Sequence, residues 1–242
     1  MMKIAIMQPY LFPYIGYFSL IKNTDHFVFF DTPQYIRKGW INRNRILGAA
    51  GKDVYFTVPI EKCSRETPIK DVKISYRENW KEKWMGQLTI YKRRAPYYSA
   101  IMQLIYDVLN SEVPYISELA INSVIKTCQY LGINFNYDVY SQMDLQSFQV
   151  EAPDEWALEI TKSMHYDTYV NPPGGKAFFD VDKYKKANIG LEFLTQEILE
   201  YNQRVREFIP GLSILDVMMF CSPEEVVDMM NLYTIEKAND II

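Results

Sequence analysis

The chain has 242 residues, 48% of them hydrophobic and 23% charged, a balance that supports a large core and excludes a disordered chain. A net charge of −4 lacks the basic excess that a phosphate backbone demands, which argues against nucleic acid as a partner. Three cysteines without a CxxC pair argue against a disulfide framework and a zinc site and point to the cytoplasm, and apolar runs cut well short of about 18 residues argue against membrane insertion.

Lys3-Ile4-Ala5-Ile6-Met7 is a short apolar run closed by Gln8-Pro9. Pro9 and Pro13 forbid a continuing helix, so the run reads as a buried strand. Ile15, Phe18, Leu20 and Ile21 lie near helical spacing and Phe27-Val28-Phe29-Phe30 follows, giving strand, short helix and strand. So compact a crossover implies a parallel pair, with the loop after the first strand and Asp31 after the second at one carboxyl edge. Strands at 54–58 and 71–75 are expected to extend this sheet. Helical patterns cover 79–93, 97–109 and 115–131, the last stopped by Gly132. A strand is expected at 135–140 and an amphipathic helix at 154–164, with Trp156, Ile160 and Met164 as its stripe. Thr168-Tyr169-Val170 runs into a turn cluster at 171–175, and 190–194 resembles a strand. Ser222-Pro223-Glu224-Glu225 starts a helix, with Ser as cap, Pro first in the helix and Glu three after the cap. No repeat or linker divides the chain, so 1–242 reads as one compact unit: an α/β core mainly in 1–78 plus later strands, and helical parts at about 79–132 and 200–242.

Three stretches carry candidate chemistry. In an open α/β sheet ligands lie beyond the carboxyl ends of the strands, and Gly16, at the start of the first helix, is where a ligand would approach the backbone. The free amides of that helix and the hydroxyls of Tyr10, Tyr14 and Tyr17 would meet an anionic oxygen; the plainer alternative is an aromatic core around a proline-stiffened loop. Tyr14-Ile15-Gly16-Tyr17 is similar to the HxGH arrangement of the nucleotidyltransferase superfamily with tyrosine at both histidine positions, and a phenol of pKa about 10 offers only a neutral hydrogen bond.

The second stretch, 34–46, gathers Arg37, Lys38, Arg43 and Arg45 with Trp40, Asn42 and Asn44 just after the second strand. Such concentrated positive charge in an acidic protein suggests an anionic substrate at the same crevice, against the alternative of a solvated face with surface ion pairs. The third is Asn171-Pro172-Pro173-Gly174-Gly175-Lys176, where adjacent glycines expose amides and Lys176 adds charge, without P-loop spacing and with an ordinary turn as the alternative. Asp216, inside an apolar helical run, is either a hydrogen-bonded buried carboxylate or a catalytic one. His26 and His165 have no neighbours at metal-ligand spacing, so no metal site is expected, and a general acid or base falls to Asp31, His26 or a tyrosine.

The segments MKIAIMQPYLFPYIGYFSLI (2–21), HFVFFDTPQYIRKGWINRNRIL (26–47), FTVPI (56–60), NPPGGKAFFD (171–180) and FIPGLSILDVMM (208–219) together resemble the bacterial WbqC-like protein family over nearly the whole chain. The paired motifs of that family stand here as Gln8, Pro9, Pro13, Gly16, Tyr17 and as Trp40, Asn42, Arg43, Asn44, Arg45, Ile46. The resemblance implies a cytoplasmic protein associated with surface-polysaccharide (O-antigen) gene clusters and acting on an activated amino sugar. The expected fold is α/β, with a parallel-sheet Rossmann-like (nucleotidyltransferase/HUP-like) core and a largely helical middle and C-terminal part. Asp31, Tyr17 and Arg43 are the candidates for catalysis. Gln8, Pro9, Tyr14, Gly16, Trp40, Asn42, Asn44, Arg45, Gly174, Gly175 and Lys176 are the candidates for ligand binding. The expected ligand is an anionic small molecule, a nucleotide or nucleotide-sugar, and an ATP-dependent acyl or aminoacyl transfer would bring Mg with the nucleotide. Three classes stay open: a transferase, a non-catalytic nucleotide- or sugar-phosphate-binding protein with a degenerate nucleotidyltransferase-like fold, and a protein-interaction module.

Overall fold

The computed structural model describes residues 1–49, 51–145, 148 and 150–238. Strand β1 (Lys3–Met7) is central to a sheet covered on both faces: Ile4 and Ile6 enter one core while Ala5 enters the other. Two buried faces explain why the strand reads as continuously apolar. Helix α1 (Ile15–Lys22) carries the chain to β2 (His26–Phe29), which pairs with β1 in parallel, Ile4 beside His26 and Met7 beside Phe29.

The next two strands correct an expectation. β3 (Arg43–Leu47) and β4 (Asp53–Thr57) form a separate antiparallel hairpin, with Arg43 opposite Thr57 and Leu47 opposite Asp53, and do not extend the central sheet. The physical reason is the short connection 48–52: it closes a hairpin, whereas a parallel partner needs a crossover of a dozen or more residues. Residues 71–75 form no strand; a 3-10 turn at Ile69–Asp71 is followed by isolated bridges from Lys73 to Tyr115 and from Ile74 to Ile60.

Helices α2 (Trp80–Leu88), α3 (Tyr98–Leu109) and α4 (Ile116–Tyr130) then pack with α1 into the larger core, and Gly132 ends α4 with φ +69°. That left-handed conformation is one that glycine adopts without steric cost. β5 (Tyr137–Val139) joins β2 at the sheet edge, and α5 (Glu155–Ser163) returns across the opposite face to β6 (Thr168–Asn171), which pairs with β1 in parallel. α6 (Val181–Lys186) covers the same face and leads to β7 (Gly190–Gln196), parallel to β6.

The C-terminal region corrects the expectation of a helical 200–242. Residues 200–213 are irregular, α7 (Ile214–Phe220) and α8 (Pro223–Met229) follow, and β8 (Tyr233–Lys237) adds antiparallel to β7; residues 239–242 lie outside the described residues. The capping box before α8 forms as expected, with Glu225 N donating to Ser222 Oγ at 3.2 Å and Ser222 N donating to Glu225 Oε2 at 2.7 Å.

The sheet order is β5-β2-β1-β6-β7-β8, five parallel strands and one antiparallel edge. This is a Rossmann-like α/β core. From β1 the chain leaves toward β2, while β6 occupies the other side of β1, so the loops following β1 and β6 diverge and leave a crevice at the switch point. Among the described residues no helix is long and apolar enough to cross a membrane.

Candidate functional site

The loop leaving β1 is held in a conformation its residues do not favour. Phe12, fully buried, has φ 40°, a left-handed backbone that costs a bulky residue about 1–3 kcal/mol. Three side chains from distant elements fix it. Ser123 Oγ of α4 accepts from Phe12 N at 3.0 Å, and the Phe12 carbonyl accepts from Asn44 Nδ2 at 2.8 Å and from Ser213 Oγ at 2.7 Å. Ser213 N in turn donates to Arg45 O at 2.9 Å, and Ile214 N to Pro13 O at 2.8 Å. The loop after β1, strand β3 and the start of α7 are therefore clamped together, three stretches far apart in the sequence.

Two chambers open around this clamp, sharing Met7 and Tyr10 at the carboxyl end of β1. The smaller, about 340 Å³, is walled by Tyr10, Tyr14, Tyr17 and Trp40, with Arg45 and Gly211 at its side. Arg45 donates from Nη1 to Asp53 Oδ2 and from Nη2 to the Gly211 carbonyl, both at 3.2 Å, and its guanidinium lies 5.8 Å from the Trp40 ring centroid. The larger chamber, about 640 Å³, reaches across the ends of β1, β2 and β6 to α5 and the turn after β6. Both volumes fall in the range of small-molecule sites.

The residues singled out by sequence divide sharply. Gln8 lines the larger chamber, and Tyr14, Tyr17, Trp40, Asn44 and Arg45 line the smaller. Asn44 also holds the Leu11 and Phe12 carbonyls, and Asn42 bridges Tyr35 OH and the Val58 carbonyl, so both amides are engaged in tying backbone together. Arg43 lines neither chamber: it donates to the Gly39 and Lys38 carbonyls and lies 4.4 Å from the Tyr55 ring centroid. Asp31, 3% exposed, also lines neither, its carboxylate accepting Ser141 N at 3.0 Å and Ser141 Oγ at 2.6 Å. The Tyr17 hydroxyl donates to Gln8 O at 3.0 Å, and burial, with Tyr10 and Cys128 adding to it, pushes this phenol well up. Such a group holds its proton. Burial likewise raises Tyr10, with Tyr14 adding to it, and raises Tyr14, so these two phenols face a ligand as neutral donors, while Tyr17 keeps its proton on the Gln8 carbonyl.

Pro9 is buried but lines neither chamber, Gly174 faces open space, and Lys176 pairs with Glu236. Gly175 lines the larger chamber and leaves room for the Asn171 side chain. Gly16 is buried: a Cβ there would lie 2.5 Å from the Tyr14 ring, which folds back over the start of α1. The missing side chain thus shapes the Tyr14 wall of the smaller chamber. Gly16→Ala is expected to leave the melting temperature nearly unchanged, because alanine gains about 1 kcal/mol in a helix while the ring swings aside. Tyrosine fluorescence and ligand affinity should change, and a melting temperature lowered by ten degrees or more would show that the ring cannot move.

Sequence reading missed most of the larger chamber. Thr32 and Gln34 stand directly beyond β2, where neutral polar residues at a carboxyl edge were a usable signal. Trp156 and Phe178 gave none, since an aromatic residue on a helix stripe or in a turn reads as packing. Burial raises the thiols of Cys128 and Cys221 to about 12, which leaves them unreactive. Among the described residues no group of three or more His, Cys, Asp or Glu side chains is placed to hold a metal ion.

A family model described as the WbqC-like protein family matches residues 8–228. An uncharacterised protein of Mycobacterium tuberculosis is similar at 26% identity over 223 residues, covering 90% of this chain and 93% of the relative. No solved structure matches the chain.

Proposed function

The chain belongs to the WbqC-like protein family, and from that premise we propose that it binds a nucleotide-activated sugar across the crevice and acts on it as a cytoplasmic transferase of surface-polysaccharide biosynthesis. One observation carries the reading: Arg45, from one family motif, shares a hollow with Tyr17, from the other, and with Tyr10 and Tyr14 of the same stretch, directly beyond β1. The guanidinium offers a planar contact to a phosphate oxygen, and the protonated phenols of Tyr10 and Tyr14 add donors beside it. Trp40, 39% exposed, offers a flat face to a base or sugar.

The same chemistry limits the reaction. Phenols held protonated stabilise developing negative charge but do not abstract a proton, so the nucleophile would arrive as a free base, as a sugar amine does. An acyl or aminoacyl group passed to that amine forms an N–C bond as the bond to its activating group breaks, and the amine's proton leaves to solvent. A second reading, non-catalytic binding of a nucleotide or sugar phosphate, draws on the engagement of Asp31 with Ser141 and of the Tyr17 proton with Gln8 O. Calorimetric titration with ATP, CTP and UDP- and dTDP-sugars tests both. Heat with a nucleotide-sugar supports the shared binding claim, turnover then selects the transferase, and silence from every ligand removes both.

A further inference from the structure

The larger chamber carries no charge. Among the described residues lining it there is no Asp, Glu, Lys, Arg or His. A phosphate or carboxylate placed there would lose hydration without gaining a counter-charge, which disfavours an ionic guest. Its polar groups are also of a particular kind. The side-chain amides of Gln8 and Gln34 and the hydroxyl of Thr32 have no protein hydrogen-bond partner among the described residues, although dozens of other side chains do. By contrast, Asn171 accepts from Tyr169 OH at 2.7 Å and donates to the Pro172 carbonyl at 2.8 Å, so that end is closed within the protein. A lipid tail would leave the three free groups unmatched.

The same chamber is lined by aromatic rings that are not parallel. Phe30 and Trp156 have centroids 5.9 Å apart at an interplanar angle of 49°, and Phe178 and Phe179 are 5.0 Å apart at 87°. Tilted walls do not sandwich a flat base; they suit a puckered ring with C–H groups on its faces and hydroxyls on its rim. We propose that the larger chamber is the subsite for an uncharged, hydroxyl-bearing sugar ring, packed on Trp156 and Phe30 and hydrogen-bonded by Gln8, Thr32 and Gln34. The inference deepens the proposed function by assigning the sugar moiety to one chamber, and it needs only the crevice, not the nucleotide, to be correct.

The four tryptophans make the test, since Trp40 lines the smaller chamber, Trp156 the larger, and Trp80 and Trp84 lie buried in the core. In the full chain labelled with fluorotryptophan, each fluorine resonance reports one place. Neutral methyl glycosides, including methyl N-acetylglucosaminide and methyl galactoside, should shift Trp156 and leave Trp40, Trp80 and Trp84 in place. Gln34→Ala, at an exposed position, should weaken that shift's titration about tenfold, and Trp156→Leu should weaken UDP-N-acetylglucosamine about tenfold while UDP alone is unchanged. A Trp156 resonance unmoved by every glycoside overturns the inference. So does one moved by uridine or adenosine but by no glycoside. Trp40 unmoved by UDP and UDP-sugars would instead remove the nucleotide reading, with the glycoside result at Trp156 still standing.

Discussion

Asp216→Ala is expected to lower the folding free energy by about 3 kcal/mol or more, because it strips a fully buried acceptor from three donors at once. Tyr91 OH and Tyr201 OH each donate to the carboxylate at 2.5 Å, and Gln203 Nε2 donates at 2.8 Å. Tyr91 in turn accepts Leu47 N at 2.9 Å, and Gln203 closes the irregular 197–213 segment by donating to the Ile209 carbonyl and accepting Ile209 N. One carboxylate thus joins α7, the 3-10 turn Thr89–Tyr91 that follows α2, strand β3 and the 197–213 segment. Alanine leaves the protons of two phenols without their acceptor, and removes one acceptor of the Gln203 amide, at a site that is 0% exposed. The chain has either to admit water there or to loosen the segment. Urea denaturation reads the loss as a lower midpoint, and a midpoint equal to wild type would show that the hub contributes nothing.

The same site fixes a pH dependence. Burial raises the Asp216 carboxyl above its ordinary value, with the hydrogen bonds from Tyr201, Tyr91 and Gln203 opposing the shift only in part. A carboxyl whose folded value exceeds its unfolded value of about 3.9 favours folding most below that unfolded value, and this contribution is lost as pH rises through the folded value. Asp216→Asn retains an acceptor oxygen but does not titrate. The stability of wild type relative to the Asn variant should therefore fall as pH rises from about 3.9 toward neutrality. A difference that grows with pH would reverse the assigned direction.

How far the letters lead depends on whether one segment's own pattern decides its structure. Ile4, Ala5 and Ile6 and the run Phe27-Val28-Phe29 have apolar neighbours on both faces, and nothing but a buried parallel strand uses such a pattern well. The Ser222–Glu225 cap is equally local. β3 was hidden because Asn44, a polar residue, takes an inward position between Arg43 and Arg45, and the N–H groups of its amide are satisfied by the carbonyls of Leu11 and Phe12, more than thirty residues earlier. β8 was hidden for the opposite reason: Tyr233–Lys237 is an edge strand, mostly exposed, with no apolar face to give it away. Trp40 and Arg45 reach the carboxyl end of β1 through the clamp that Asn44 and Ser213 make on the Phe12 carbonyl, and not through the central sheet that the sequence pattern conveys. Which of two neighbouring arginines faces the hollow depended on Gly211 and Asp53 lying beside one and Tyr55 beside the other, and no spacing rule contains that.

That division yields the largest expected effect on binding. Arg45→Ala should weaken a UDP-sugar by about ten- to a hundredfold, the range of one lost charge-assisted hydrogen-bonding group, whereas Arg43→Ala should change affinity by less than about threefold. Arg43 holds the loop carbonyls of Lys38 and Gly39 and stacks on Tyr55, so its loss belongs to stability, by about 1 kcal/mol. Arg45→Lys should recover part of the affinity, since charge returns but the planar fork that bridges Gly211 and an incoming oxygen does not. Asp53 competes for the same guanidinium at 3.2 Å and is 37% exposed, so the pair contributes little to folding. Asp53→Asn should accordingly leave stability within about 1 kcal/mol and strengthen an anionic ligand, because it removes the rival carboxylate. Calorimetry on the four variants decides the matter: equal losses for Arg43→Ala and Arg45→Ala, or weaker binding in Asp53→Asn, would mean that the anion does not sit at Arg45.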